Sequence, residues 1–169
     1  MPAPPVPGLH SPDFERDSCG FGLIAQLDDR PSRALVDAGL QALARLVHRG
    51  AVGADGLSGD GCGLLLRRPR VFLAAIAHEA GIAYADGDAC GMVFLPHAAD
   101  AAAVCRAGLS AALEARGLAV GGWREVPVVR EGCGEIALRG LPRIEQVFVR
   151  TPGGLDVAGF ERALFLARR

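Results

Sequence analysis

The sequence predicts an α+β fold in which helical layers pack on paired strands. Apolar runs of strand length alternate with apolar residues at helical spacing. No internal repeat and no long Pro/Gly/Ser linker divides the chain. The 169 residues, 50% of them hydrophobic and 22% charged, are enough to bury one core of ordinary size.

Apolar runs bounded by turn residues predict six strands. They lie at residues 19–27, 62–66, 91–95, 118–129, 135–138 and 144–149. The first of these is expected to be a buried strand, and its two glycines indicate that another group approaches the backbone closely.

Four segments repeat apolar residues at helical spacing and therefore predict helices. They lie at residues 33–47, 69–79, 98–116 and 155–169. Ser32 is placed to cap the first helix, and Pro69 suits the first turn of the second. Gly81 and Gly117 are expected to end the second and third helices.

A glycine-rich block follows the first predicted helix. Residues 50–63 contain six glycines together with Asp55 and Asp60. Such a loop reaches left-handed backbone conformations and can turn backbone N–H groups toward a ligand. It lacks the Gly-Lys-Ser/Thr ending of a phosphate loop, and all 18 basic residues of the chain are arginine.

Composition excludes several classes of function. A formal net charge of -1 gives no field that would attract nucleic acid or an anionic membrane. No apolar run approaches the roughly 20 residues that span a bilayer. The five cysteines form no C-x-x-C pair, so neither a metal site nor a disulfide framework is expected, and free thiols favour a cytoplasmic location.

Cys19 is the strongest candidate for catalytic chemistry. If the peptide bond before it is cut, its own α-amine, with a pKa of about 7.7 to 8.0, can accept the thiol proton. The thiol then becomes a nucleophile suited to amides, and it could itself attack the Ser18 carbonyl to release residues 1–18. From the residues alone, the alternative that Cys19 is a small buried hydrophobe stays open.

Residues 19–25, Cys-Gly-Phe-Gly-Leu-Ile-Ala, resemble the mature N terminus of the glutamine amidotransferase domain of glutamate synthase. Residues 46–63, which contain His-Arg-Gly-Ala-Val-Gly-Ala-Asp, are similar to the glycine-rich signature of the same domain. Residues 91–96, 122–127 and 160–169 fit that family in order. The resemblance therefore covers nearly everything after the proline-rich leader.

The resemblance implies a four-layer αββα N-terminal-nucleophile hydrolase fold, incomplete in this chain. Residues 1–18 would be a leader, and residues 19–169 the N-terminal part of a class II glutamine amidotransferase domain. Cys19 would hydrolyse glutamine to glutamate and ammonia through a thioester. Arg49 matches an arginine that positions the nucleophile, although a structural ion pair of Arg49 with Asp55 or Asp60 is equally open.

The resemblance also implies partners. Ammonia would pass to a synthase domain acting on 2-oxoglutarate, and the rest of the amidotransferase domain would complete the site. FMN and an iron–sulfur cluster would belong to a full-length synthase, with no cofactor in this region. Apolar surface left open in an incomplete domain is expected to cause aggregation or partner binding.

The sequence departs from the family in two segments. The Ser-Arg-Phe-Ser-Thr segment that holds the glutamine carboxylate and the Asn-Gly oxyanion hole have no counterpart here. The chain alone is therefore expected to have little or no glutaminase activity. The alternatives are an inactive remnant, a subunit completed by a partner, or a different N-terminal-nucleophile amidohydrolase.

Overall fold

The structure is a computed structural model that describes residues 20–28, 30–46, 50–59 and 61–169. The chain divides into two compact units, an N-terminal unit of residues 1–65 and a C-terminal unit of residues 66–169.

The N-terminal unit contains helix α1, Arg33–Ala44. The predicted N-cap is confirmed, because the Ser32 hydroxyl accepts a hydrogen bond from the Leu35 N–H at 3.3 Å. Arg33 and Asp37, one helical turn apart, form an ion pair at 2.9 Å. None of the α1 residues is buried, so capping and this surface pair are the local interactions that support the helix.

The strands predicted at residues 19–27 and 62–66 are wrong for the residues that the structure describes. Residues 20–27 and 62–66 belong to no strand, and the Leu27 and Leu65 side chains are fully exposed. A strand is stable only when a neighbour pairs its backbone N–H and C=O groups. No described strand pairs with either segment.

The C-terminal unit confirms the predicted α+β class. Its elements are α2 Arg70–Glu79, β1 Ala89–Leu95, α3 Ala99–Glu114, β2 Ala119–Glu125, α4 Glu135–Gly140, β3 Arg143–Arg150 and α5 Val157–Ala167. The strands form one three-stranded sheet in the order β1-β3-β2, with both pairings antiparallel. A mixed sheet-and-helix domain of this kind is consistent with an incomplete four-layer fold.

The predicted ends of two helices are confirmed. Gly81 and Gly117 have φ angles of 68° and 74° and follow α2 and α3 in the left-handed conformation that glycine adopts without strain. Asp156 caps α5, since its carboxylate accepts a hydrogen bond from the Gly159 N–H at 2.8 Å.

The strand predicted at residues 135–138 is wrong, because these residues form helix α4. The Leu138 N–H donates to the Gly134 C=O at 2.9 Å, which closes a helical turn. Glu135 and Arg139 pair across that turn at 3.8 Å. Four residues are too few to distinguish helical from strand periodicity, and Glu, Ala and Leu have high helix propensity.

The core consists of two clusters, with β3 contributing to both. Successive side chains of a strand point to opposite faces of its sheet. Phe148 therefore packs with α2, whereas Val147 and Val149 pack with α3 and α5. The first cluster contains Leu73, Ile76, Ala77, Ile82 and Phe148. The second contains Leu113, Leu118, Val147, Val149 and Phe160.

The central strand also carries a buried carboxylate. Glu145 of β3 is 1% exposed. Its carboxylate accepts hydrogen bonds from Arg143 at 2.6 Å and from Arg106 of α3 at 3.4 Å. Arg143 also bonds to Glu125 of β2 at 2.8 Å. This network ties α3 and β2 to the central strand, and a buried carboxylate requires such partners.

Replacement of Glu145 by glutamine is expected to destabilise the fold. Glu145→Gln leaves two guanidinium groups without their shared carboxylate, which should lower the free energy of unfolding by about 3 kcal/mol. Glu135→Gln is the matched control, because that carboxylate is 84% exposed in its pair with Arg139. It should change stability by less than about 0.5 kcal/mol. Urea denaturation measures both, and equal effects would contradict the role given to Glu145.

Candidate functional site

The two residues predicted to form the active site, Cys19 and Arg49, lie outside the described residues. Their roles therefore stay predictions. The structure does describe the residues that follow each of them, and Gly20 and Gly50 are both exposed. The described part of the candidate site is the glycine-rich loop, residues 50–59, which directly follows Arg49.

The glycine-rich loop reverses the direction of the chain. Val52 and Gly59 form an isolated antiparallel bridge at its base. Inside the bridge, the Gly53 N–H donates to the Ser58 C=O at 2.5 Å, and the Gly56 N–H donates to the Gly53 C=O at 3.0 Å. The loop is thus held by its own backbone hydrogen bonds.

The Asp55 carboxylate organises the tip of this loop. It accepts hydrogen bonds from the Ser58 N–H at 2.8 Å, the Leu57 N–H at 3.2 Å and the Ser58 hydroxyl at 2.6 Å. Ser58 is buried at 7% exposure. An aspartate that bonds to backbone groups two and three residues further on stabilises a turn, and the charge strengthens each bond.

Two glycines of the loop are required by its geometry. Gly56 has a φ angle of 71°, which residues with a Cβ atom rarely adopt. A Cβ atom on Gly59 would lie 2.9 Å from the Ala51 carbonyl oxygen. At Gly61 and Gly63 a Cβ atom would lie in open space. Nothing in the described residues therefore requires glycine at these two positions.

The roles of Asp55 and Ser58 in the turn are not part of the sequence prediction. Sequence reasoning treats Asp55 as a possible ion-pair partner of Arg49, whereas the structure shows its carboxylate bonded within the loop. The sequence does contain a signal for this turn, because Asp-Gly-Leu-Ser places a hydroxyl three residues after an aspartate, as in Asx-type turns. The ion pair of Arg49 with Asp55 or Asp60 stays a prediction, since Arg49 and Asp60 lie outside the described residues.

The thiol of Cys90 is poorly suited to be a nucleophile. It is half-buried against the first core cluster. Burial raises the pKa of the Cys90 thiol from 9.0 to about 11, and the nearby Arg124 guanidinium only partly opposes this. At neutral pH very little thiolate forms, and the thiolate is the reactive species.

The C-terminal unit has a cavity of about 550 Å³ whose lining includes His97, Arg124, Arg130 and Arg143. Its lining contains no cysteine, serine or threonine that could act as a nucleophile. Within the described residues, no three His, Cys, Asp or Glu side chains are grouped to hold a metal ion. No described helix has the length and apolar character needed to cross a membrane.

Removal of the Asp55 carboxylate is expected to loosen the glycine-rich loop. Asp55→Ala deletes hydrogen bonds to a charged acceptor, which contribute about 1.5 kcal/mol. Amide exchange at Leu57 and Ser58, followed by NMR, should accelerate about tenfold. Asp28→Ala is the matched control, because the Asp28 carboxylate accepts a bond from the exposed Arg30 N–H at 3.3 Å. Unchanged exchange in Asp55→Ala would contradict its role.

Comparison with known proteins gives a family and a set of relatives. The class-II glutamine amidotransferases match residues 19–169, a range that begins at Cys19. Ferredoxin-dependent glutamate synthase 2 of Synechocystis is 41% identical over 156 residues, which cover 91% of this chain and 10% of the relative.

Two relatives named as NADPH glutamate synthases also match nearly the whole of this chain. The glutamate synthase [NADPH] large chain of Azospirillum brasilense is 38% identical over 162 residues, covering 95% of this chain and 11% of the relative. That of Bacillus subtilis is 35% identical over 167 residues, covering 98% and 11%. The chain thus spans about a tenth of the length of the curated relatives it matches. With a match that includes the predicted nucleophile and the whole glycine-rich loop, the chain belongs to the class-II glutamine amidotransferases, and it is similar to glutamate synthases over nearly its whole length.

Proposed function

We propose that this chain supplies the nucleophile half of a glutaminase site in a glutamate synthase. The observation that carries the proposal is the family match, which starts at Cys19 and runs to residue 169. The relatives are named as glutamate synthases. Glutamine is the substrate class that this family implies.

Cys19 acts as nucleophile and base once residues 1–18 are removed. Its α-amine takes the thiol proton, and the thiolate attacks the side-chain carbonyl of glutamine. The tetrahedral oxyanion collapses, and the departing nitrogen takes a proton from the α-ammonium group to leave as ammonia. Water, activated by the same amine, then hydrolyses the thioester and releases glutamate.

Removal of the leader uses the same sulfur. The Cys19 thiol attacks the Ser18 carbonyl, and the peptide bond between them becomes a thioester as the α-amine is freed. Water hydrolyses that thioester, so the leader departs with a carboxyl terminus. Nothing besides water is consumed, and the product carries the primary amine that the glutaminase step requires.

Arg49 is proposed as a positioning residue. In the sequence it follows α1, which ends at Ala44, and directly precedes the loop whose tip the Asp55 carboxylate organises. The role itself rests on the resemblance of the His-Arg-Gly motif to the signature of the family.

Other residues must complete the site. The 169 residues contain no asparagine, so an Asn-Gly oxyanion hole has to come from outside them, as does the carboxylate-binding segment. The ammonia acceptor is a synthase domain acting on 2-oxoglutarate, with FMN and an iron–sulfur cluster. The relatives include both ferredoxin-dependent and NADPH enzymes, so similarity in this region does not select the electron donor.

The first test is whether Cys19 becomes an N terminus. Intact mass of the purified chain should show loss of residues 1–18, because self-cleavage creates the amine that the mechanism needs. Cyanobenzothiazole, which condenses with an N-terminal cysteine, should then label the protein at Cys19. Cys19→Ala should retain the leader and take no label, whereas Cys62→Ser, which removes an exposed thiol, should behave like the parent.

The same samples also test glutamine use. Hydrolysis of glutamine should be at least about 10²- to 10³-fold slower than in a complete amidotransferase, because oxyanion donors are missing. Alkylation of Cys19 by diazo-oxo-norleucine would support glutamine over other amides. A leader that stays attached, with no label at Cys19, would contradict the proposal and favour an inactive remnant or a subunit without catalysis of its own.

A further inference from the structure

The cavity of the C-terminal unit lies at one end of the sheet. Its volume is about 550 Å³, within the range of about 300 to 1,000 Å³ that is typical of small-molecule sites. Its lining comes from the end of β2 and the residues after it, from the start of β3 and the residues before it, and from His97, whose ring bonds to the Leu141 C=O. The proposed glutaminase chemistry makes no use of this cavity.

One part of the charge around the cavity is balanced. The Arg143 guanidinium lines the cavity and bonds to the Glu125 carboxylate at 2.8 Å and to the Glu145 carboxylate at 2.6 Å. Glu145 also pairs with Arg106 at 3.4 Å. Two carboxylates thus face two guanidinium groups, and their formal charges cancel.

Two further guanidinium groups line the cavity without a carboxylate partner in the part of the chain that the structure describes. Arg124 of β2 donates to the amide oxygen of Gln146 at 2.9 Å, and this amide, on a residue only 8% exposed, carries no charge. Arg130 is exposed and follows β2, and Glu131 beside it does not line the cavity. Because arginine stays protonated at physiological pH, these two positive charges are not neutralised.

The rest of the lining is apolar and poor in backbone donors. It consists of Val126, Pro127, Val128, Leu141, Pro142 and Ile144. The two prolines have no N–H, and the Val126 N–H already donates to the Ile144 C=O at 2.9 Å. Phosphate sites commonly depend on backbone N–H groups. This lining therefore favours an anion with a carbon chain, held by side chains, over a bare phosphate.

We propose that this cavity binds a small aliphatic dicarboxylate, with one carboxylate at Arg124 and the other at Arg130. A planar guanidinium group can hold a carboxylate through two parallel N–H···O bonds. Two carboxylates supply the two negative charges that the cavity lacks, and the carbon chain between them contacts the apolar lining. Since Gln146 already orients the Arg124 side chain, binding there orders fewer rotamers.

This inference goes beyond the proposed glutaminase function, because every residue that it uses belongs to the C-terminal unit, residues 66–169. Its test can therefore succeed or fail independently of Cys19.

Isothermal titration calorimetry with three anions, at constant ionic strength because salt screens exposed charges, tests the class of ligand. Succinate should bind to the purified chain. Butyrate has the same chain length but one carboxylate, so it leaves one guanidinium group without a partner and should bind at least about tenfold more weakly. Inorganic phosphate should also bind more weakly than succinate.

Substitution of the arginines tests the site. Arg130→Gln should raise the dissociation constant of succinate at least about tenfold, and it should abolish the preference for succinate over butyrate. Arg162→Gln is the matched control, because it removes the same charge from an exposed residue of α5 outside the lining, and it should bind like the parent. Arg124→Gln should act as Arg130→Gln does, with thermal melting to confirm the fold.

Three results would each overturn the proposal. They are no succinate binding by the parent chain, equal succinate affinity in Arg130→Gln and Arg162→Gln, and tighter binding of phosphate than of succinate.

Discussion

The burial of β3 on both faces is the constraint on which the C-terminal unit depends. Residues 145–149 are buried without interruption, although the strand is only eight residues long. Phe148 completes one core cluster and Val147 and Val149 the other. Each such side chain contributes about 1.5 to 3 kcal/mol when fully buried. The two helical layers would have no common element to pack against without this strand.

The same strand carries one of the buried charges of the unit, Glu145. Glu145 occupies the end of the buried run, where α3 and the end of β2 bring arginine and glutamate side chains within reach. A carboxylate here links three elements through hydrogen bonds with defined partners. The outer strands differ, because among the described strands each of them pairs with β3 alone.

The N-terminal unit is held together in a different way. Ser58 is the one buried residue among its described residues, while Phe21 and Leu23 are 94% and 90% exposed. Its described elements are held by two sets of local hydrogen bonds. One is the bond by which Ser32 caps α1, and the other is the set that Asp55 accepts in the turn of the glycine-rich loop. The described residues of this unit, which include those that follow the predicted nucleophile, therefore form no apolar core cluster.

Sequence patterns predicted the elements that carry long periodic signals or special residues. The α2, α3 and α5 helices, the ends at Gly81 and Gly117, and β3 follow from spacing and from glycine conformation. Residues 135–138 could not be assigned correctly, because one helical turn has no distinguishable period. The strands predicted at residues 19–27 and 62–66 failed because strand formation depends on a partner elsewhere in the chain. At the candidate site, the motifs located the glycine-rich loop, whereas the hydrogen bonds of Asp55 depend on how the loop folds and are visible only in the structure.

Native-state hydrogen exchange tests most directly whether the stable core lies in residues 66–169 while residues 20–28, which follow the predicted nucleophile, lie outside it. The amides of Val147, Phe148 and Val149 should exchange most slowly and share one free energy of opening, because only global unfolding exposes them. The amides of residues 20–28 should show little protection, since they form no described strand or helix. Protection of residues 20–28 equal to that of β3 would contradict this account.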